Sequence, residues 1–515
     1  MKKIHQLLLL LLLFLFHSAT IHAQDVIPEN FEQWIIDGIE QWDIPGMAIA
    51  VVKNDEVILA EGYGIRNLND PQPVDADTQF GVASISKHMT ASSLAILVDE
   101  GLISWHDPVT KHIPWFELSD PWATANVTIH DLLTHQVGVG RLLGNRLQFM
   151  SNSSREEMLY QMRYHEFEEP FRSDYVYSNV MYTLAGEIVP AVTGQSWDDF
   201  MMERFFEPME MTRTNTSVDD LDEDSNMAWP HQYIEGEVVN IPLRNWDVSS
   251  PAGGVNSTAN DMAKWMIKQL NNGSYNGHQY ISGQSLTDIQ TPKISRGASS
   301  VDAPKNSYGY GYNITDYRRY RMISHGGASD GMNTTYMLVP EIGLGIIVMT
   351  NVFTTFREAI ARTVIDHNLN STDRDWNEIY FNAYTNRYNS VRSLREEFES
   401  TRIPHTTPTH SLKDYTGIYY NDLYQNAEIR LENDKLTLSI FDDENLTGNL
   451  EHWHHNTFRI HWNNPGMREE FISFDMNLYG EIDQLKIRYA LRPLLIQVGA
   501  YPTDFYRDVV YQRIQ

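Results

Sequence analysis

One stretch of the 515-residue chain sets a nucleophile beside a base. In Phe80-Gly-Val-Ala-Ser84-Ile-Ser-Lys87-His-Met-Thr, Ser84 stands where a helix opens, running to about Glu100 and stopped by Gly101. The unpaired backbone N–H groups and the positive dipole end of such a start can stabilise an oxyanion. Lys87 follows three residues on, so both side chains share one helix face. A serine hydroxyl is a poor nucleophile until a base takes its proton. A lysine in a dry pocket has its pKa lowered enough to be that base. A capped helix start with a surface lysine fits the same spacing, but Ser-x-x-Lys occurs only here in the chain.

Two further segments carry complementary chemistry. Tyr177-Ser178-Asn179 precedes a helical run from Val180 to Thr193 ended by Gly194. The tyrosine hydroxyl can relay a proton between Ser84 and a leaving group, and the asparagine amide can hold a carbonyl. Tyr-x-Asn recurs at Tyr380, Tyr384, Tyr419 and Tyr424, yet only the copy at Tyr177 lies between Ser84 and the third element. That element is His325-Gly326-Gly327-Ala328. Its glycines let a substrate backbone approach a strand closely, and a backbone N–H there can complete an oxyanion hole with that of Ser84. Read alone, it is a His-Gly-Gly turn.

The elements that must position these residues follow from periodicity. Residues 30–41 read as an amphipathic helix with Phe31, Trp34, Ile35 and Ile39 on one face. Met47 to Val52 and Glu56 to Glu61 form a hairpin across Lys53-Asn54-Asp55, and Tyr336 to Pro340 pairs with Gly343 to Thr350. Strands at both ends with helices between predict an α+β fold, one antiparallel sheet carrying a helical insertion. Residues 371–410 turn polar and close on Pro404 and Pro408, which predicts a surface helix and a linker with a separate core on each side. From Leu412, short alternating runs (Ala427 to Leu431, Lys435 to Ile440, Thr457 to Trp462, Glu470 to Phe474, Gln484 to Arg488) predict a small all-β barrel or sandwich over 411–515.

Composition narrows the function. Lys plus Arg is 39 and Asp plus Glu is 68, a formal charge of −29, which argues against nucleic acid or anionic membrane as a partner. Cysteine is absent, which excludes thiol nucleophiles, disulfides and a lipoprotein anchor. Lys2 and Lys3, the apolar run Leu7 to Phe16 and small residues ending at Ala23 have the order of a secretory signal peptide. The run is too short to span a bilayer, which takes about 20 residues. A mature chain starting near Gln24, periplasmic or secreted and without stable membrane insertion, is expected.

Taken in order, Ser84-x-x-Lys87, Tyr177-x-Asn179 and His325-Gly-Gly resemble the serine β-lactamase and penicillin-binding-protein superfamily. The resemblance is to its class C β-lactamase-like branch, which also contains D-alanyl-D-alanine carboxypeptidases, D-aminopeptidases and esterases. Gly101-Leu-Ile-x-x-x-Asp107-Pro108, Ile129-x-Asp131-Leu-Leu-Thr-His135, Pro251-Ala-Gly-Gly254 and Tyr308-Gly-Tyr-Gly311 look similar too, and the likeness covers about residues 30–365. The C-terminal segment, with Leu450-Glu-His-Trp-His-His-x-Thr-Phe, resembles the lipocalin-like barrel often appended to such hydrolases. The resemblance implies a β-lactamase-like domain over 24–370. It makes Ser84 the acylated nucleophile, Lys87 its base partner and Tyr177 the acid or base for a second proton. Asn179 would hold the substrate amide or the Lys87 side chain. His325, Gly326, Gly327 and Ala328 would form the substrate-binding strand, with Ser84 and Ala328 N–H groups as the oxyanion hole.

The chain departs from the penicillin-hydrolysing pattern at that strand. The usual Lys-Thr-Gly grips a carboxylate, whereas His325 is mostly neutral at pH 7 and Gly326 has no hydroxyl. The leading expectation is therefore an exported serine hydrolase of an ester or amide, acting on a small-molecule or peptide substrate without a cofactor. The alternatives are a β-lactamase or D-peptidase, and a non-catalytic ligand-binding or sensor protein. No metal site is expected: His452, His454 and His455 cluster, and strand alternation would put His452 and His454 on one face, but they lack a clear third ligand. His135 is read as a structural hydrogen-bonding residue. The run Tyr308, Tyr310, Tyr312 fits a pocket lining or strand packing equally well.

Overall fold

A computed structural model describes residues 26–140, 147–148, 152–221, 226–234, 236–297, 306–467, 470–488 and 509–514. The expected leader lies outside these residues. Helix α1 (Phe31–Gln41) leads into β1 (Gly46–Lys53) and β2 (Glu56–Gly64). After the helical region come β3 (Ile294–Ser295), β4 (Asn306–Tyr308), β5 (Asn313–Tyr317), β6 (Tyr320–Ala328), β7 (Asn333–Val339) and β8 (Leu344–Thr350). These build one antiparallel sheet in the order β2-β1-β8-β7-β6-β5-β4-β3. Its seam joins the two ends of the domain, with Met47 opposite Thr350 and Lys53 opposite Leu344.

The sequence of β1, Met-Ala-Ile-Ala-Val-Val, is apolar throughout because both faces are covered. Met47, Ile49 and Val51 point to one buried cluster, where they meet α1 and the helix Phe356–Asn368. Ala48, Ala50 and Val52 point to the other, formed by the helical insertion. Within that insertion the helices Ser86–Asp99 and Asn179–Thr193 carry the segments singled out above, and Ala259–Leu270 packs across β1 and β8.

Residues 417–513 form a closed, up-and-down barrel of eight strands, in which Gly417–Asn421 pairs both with Gln425–Glu432 and with Val509–Arg513. Two of its strands carry too little alternation to read in advance: Gly417–Asn421 and Val509–Arg513. The register shifts between His452 and His454, so strict alternation fails there. His452 Nε2 meets the His455 carbonyl at 2.9 Å instead. Among the described residues no group of three potential metal ligands forms.

The polar 371–410 stretch is a bracket rather than a loose linker. Its helix Trp376–Glu399 buries Trp376 and lays Phe381 and Tyr384 on Trp42, with ring centroids at 5.0 and 5.3 Å. Its far end docks on the barrel. Phe398 stacks on Trp453, Glu399 takes both carboxylate contacts from Arg459 at 2.7 Å, and Arg402 donates to the His452 and Trp453 carbonyls. The buried apolar cluster of the helical insertion continues into the barrel, so the two regions meet through apolar side chains.

One close approach governs the active face. A Cβ on Gly327 would lie 2.1 Å from the Val82 carbonyl oxygen, so β6 can run past the Ser84 turn only with glycine there. We expect Gly327→Ala to force the two apart at a cost of ~1–3 kcal/mol, as overpacking does. Thermal unfolding and ester turnover measured together check this: both should fall, and a variant with wild-type melting temperature and activity would contradict the packing described.

Candidate active site

Ser84 sits in a tight turn, Ala83–Ile85, immediately before the helix Ser86–Asp99. The residue before it, Ala83, has φ +50, a left-handed conformation that costs a non-glycine residue of order 1 kcal/mol and persists only where the surroundings over-determine it. They do so here. Val82 N–H donates to the Val255 carbonyl, Ser86 Oγ donates to the Ala83 carbonyl, and Val255 N–H donates to Ser86 Oγ. The turn is thereby tied to the segment after Pro251-Ala-Gly-Gly254.

Lys87 is fully buried. Its amine faces three acceptors: the Ala252 carbonyl at 2.6 Å, Asn179 Oδ1 at 2.7 Å and Ser84 Oγ at 3.2 Å. The Tyr177 and Tyr182 rings flank it at 4.8 and 5.5 Å. No carboxylate is among these neighbours, and burial pushes the amine well below the ordinary lysine value. Tyr177 donates its hydroxyl to Ser84 Oγ at 2.8 Å. Ser84, Lys87, Tyr177 and Asn179, drawn from segments over 90 residues apart, thus share one hydrogen-bonded cluster.

The segment carrying Tyr177 is held from beneath. Thr128 and Asp131 form a capping box, Arg172 grips Asp131 through Nε and Nη2, and Val176 N–H donates to the His135 carbonyl. His135 Nδ1 accepts from Ser178 N–H at 3.0 Å, and its ring lies 4.4 Å from that of Tyr177. Burial, with the Lys87 charge nearby, keeps this imidazole well below its usual pKa, so it serves as a neutral acceptor. Ser178 then caps the helix through Met181 N–H. The Asn179 amide points inward, with Oδ1 on Lys87 and Nδ2 on Gln148 Oε1 at 2.9 Å.

His325 is buried on the same face of β6 as Gly327, towards the helical insertion, with its ring 6.4 Å from that of Tyr177. Nδ1 faces the Gly326 carbonyl at 2.7 Å and Nε2 meets the Tyr308 hydroxyl at 3.0 Å. The first contact requires Nδ1–H, which makes Nε2 the acceptor. Burial, reinforced by the Lys87 charge, holds its pKa down to about 3. Gly326 is open: a Cβ there would meet nothing nearer than the Thr334 carbonyl at 3.8 Å. Gly327 is pressed on Val82, and Ala328 ends the strand, exposed. Of the three neighbouring tyrosines, Tyr308 supports His325, Tyr310 bonds His130, and Tyr312 stacks on His88 at 4.6 Å, so all three are packing.

Sequence reasoning missed two partners of this cluster, the Ala252 carbonyl and Gln148. A backbone carbonyl has no residue signature, and Gln148 stands in a loop without periodicity. The segment Pro251-Ala-Gly-Gly254 was a usable hint, because Thr90 Oγ1 and Lys87 take the carbonyls of Pro251 and Ala252.

The chain is 28% identical to Unguisins hydrolase ungD' of Aspergillus campestris over 444 residues, 80% of this chain and 79% of that one. It is 25% identical to Protein flp of Staphylococcus aureus over 383 residues, 71% and 72% of the two chains. The octameric penicillin-binding protein homologue from Pyrococcus abyssi superposes with a TM-score of 0.60 at 21% identity, over 89% of this chain and 97% of that one, and so shares the fold. Residues 401–504 match a family described as a domain of unknown function, DUF3471. The Beta-lactamase family model matches residues 31–369, about two thirds of the sequence, and the chain belongs to that family of serine hydrolases.

Proposed function

We propose that the protein is an exported hydrolase that cleaves an ester or amide through an acyl-enzyme on Ser84. The observation that carries this reading is the shared contact of Ser84 Oγ with Lys87 Nζ at 3.2 Å and Tyr177 OH at 2.8 Å. A neutral amine has two N–H bonds and one lone pair. With the N–H groups on Asn179 Oδ1 and the Ala252 carbonyl, the lone pair is left for the Ser84 proton, along the longest of the three contacts. Ser84 Oγ attacks the carbonyl carbon as Lys87 takes that proton, and the oxyanion forms against the N–H groups of Ser84 and Ala328. As the tetrahedral species collapses, Tyr177 gives its proton to the departing oxygen or nitrogen and recovers one from Lys87. Water then repeats the sequence on the acyl-enzyme. Intact Ser84, Lys87 and Tyr177 favour this over a ligand-binding role.

His325 bears on the substrate. A neutral imidazole with both nitrogens engaged, followed by a bare glycine, offers no cation and no hydroxyl to a substrate carboxylate. This favours uncharged esters and internal amides over penicillins or carboxy-terminal D-alanine. The relative from Aspergillus campestris is named a hydrolase, which supports a hydrolytic reading. The leader pattern at residues 1–23 supports export.

Four outcomes test the proposal. A fluorophosphonate should add one label, located on Ser84 by peptide mass spectrometry, and Ser84→Ala should lose it. An adduct that survives the substitution sinks the assignment. Lys87→Ala and Tyr177→Phe should each lower kcat by ~10²–10⁴-fold, the usual worth of a positioned acid–base group. The sign of the pH dependence also follows. Because burial lowers the Lys87 pKa, the base form grows as pH rises, so kcat should climb with pH and level off well below the range of a free lysine. A profile still rising near pH 10 would contradict a desolvated Lys87 base. In a substrate panel, kcat/KM for an uncharged aryl ester should exceed that for a chromogenic cephalosporin by at least ~10-fold, the effect of one absent charge-assisted contact; the reverse order would restore the β-lactamase reading.

A further inference from the structure

The turn after Ala328 is gripped by an ion pair that the barrel touches. Arg244 is buried, and its guanidinium takes both oxygens of Asp330, Nε to Oδ2 and Nη2 to Oδ1, each at 2.7 Å. Trp246 closes the grip: its Nε1–H donates to Asp330 Oδ2 at 3.1 Å, and the guanidinium lies 4.3 Å from its ring. A planar fork held at both ends and stacked on an indole is a stiff arrangement.

Asp330 lies two residues beyond Ala328, in the turn where Ser329 and Met332 exchange backbone hydrogen bonds. That turn also reaches the nucleophile's own strand, since Met332 Sδ lies 3.0 Å from Gly81 N, three residues before Ser84. The clamp therefore holds the turn that joins the Ala328 end of β6 to the segment before Ser84. On its other side is the barrel. Met467 Sδ lies 3.9 Å from Arg244 Nη1, and the negative charge of Asp443 acts on the guanidinium. Gly466 abuts Ile241, which a Cβ would approach to 2.9 Å. The two barrel loops are joined by Asn464 Nδ2 donating to Asn445 Oδ1 at 3.0 Å.

We propose that Arg244 and Asp330 are positioning residues for the oxyanion pocket and that the barrel sets their geometry, so that turnover at Ser84 depends on a contact made by the C-terminal domain. This rests on the acyl-enzyme reading above. The barrel then acts through the backbone it braces and contributes no proton donor or nucleophile.

The test uses the full chain, with para-nitrophenyl acetate as substrate and phenylboronic acid as a probe of the tetrahedral state. Arg244→Lys and Asp330→Asn should lower kcat by ~10-fold or more with KM nearly unchanged, and boronate affinity should fall in step with kcat/KM, as expected when a transition-state contact is displaced. Met467→Ala, at the barrel side, should show the same pattern at ~3-fold. Arg392→Ala, in an exposed ion pair on the bracket helix, is the control and should leave kinetics unchanged. Melting curves confirm that assays are made on folded protein, and if either clamp variant fails to fold, Met467→Ala alone decides. Normal kcat and boronate affinity in folded variants overturn the inference, as does a rise in KM alone. Ser84→Ala run in parallel separates the two levels: its retaining activity defeats the acyl-enzyme reading, whereas an inactive Ser84→Ala beside unaffected clamp variants defeats only the clamp.

Discussion

A primary amine without access to water must have its hydrogen-bonding capacity met by the protein, and at Lys87 the protein meets it with three oxygens. Each comes from a different part of the chain: the hydroxyl of Ser84, the amide of Asn179 and the carbonyl of Ala252. To bring them together, the Ser84 turn must lie against the Pro251 segment, and the helix Asn179–Thr193 must begin where its first side chain faces inward. The left-handed Ala83, the Ser86 bridge and the His135 acceptor under Ser178 all serve that convergence. A carboxylate in the same place would have kept Lys87 charged. Neutral acceptors let desolvation prevail, and desolvation makes a lysine useful as a base.

Much of this was legible beforehand, for identifiable physical reasons. The hairpin of β1 and β2 and the pairing of β7 with β8 announce themselves because buried strands need apolar runs and turns need polar or glycine-rich punctuation. Ser84, Lys87, Tyr177 and Asn179 were legible because their chemistry depends on side-chain type. His325 was legible as a neutral residue, but its orientation was not. Only the structure places its ring between the Tyr308 hydroxyl and the Tyr177 ring. Backbone groups such as the Ala252 carbonyl carry no signature at all. The barrel strands Gly417–Asn421 and Val509–Arg513 escaped because they close the barrel on each other, and their pairing is set by closure rather than by local alternation.

The helix Trp376–Glu399 shows how composition can mislead about independence. Its surface is polar because it is long and mostly exposed, yet its two ends are bound by aromatic and guanidinium contacts, one set to the hydrolase domain and the other to the barrel. A polar stretch between two apolar ones reads as a tether when its anchors are few and concentrated at the ends. Here those anchors hold the barrel beside Arg244 and Ile241.

The seam of the sheet also has a consequence for how the chain acquires its shape. Met47 faces Thr350 across β1 and β8, so the central strands, about 300 residues apart, cannot pair until about 350 residues have emerged from the ribosome. Closing a loop of that length costs roughly 5 kcal/mol on the (3/2)RT ln n scale before any seam contact is gained. Pairing of such high sequence separation is slow. Through most of synthesis the turn at Ser84 lacks the strand β6 that runs past it. That contact is thereby timed to the completion of the hydrolase domain.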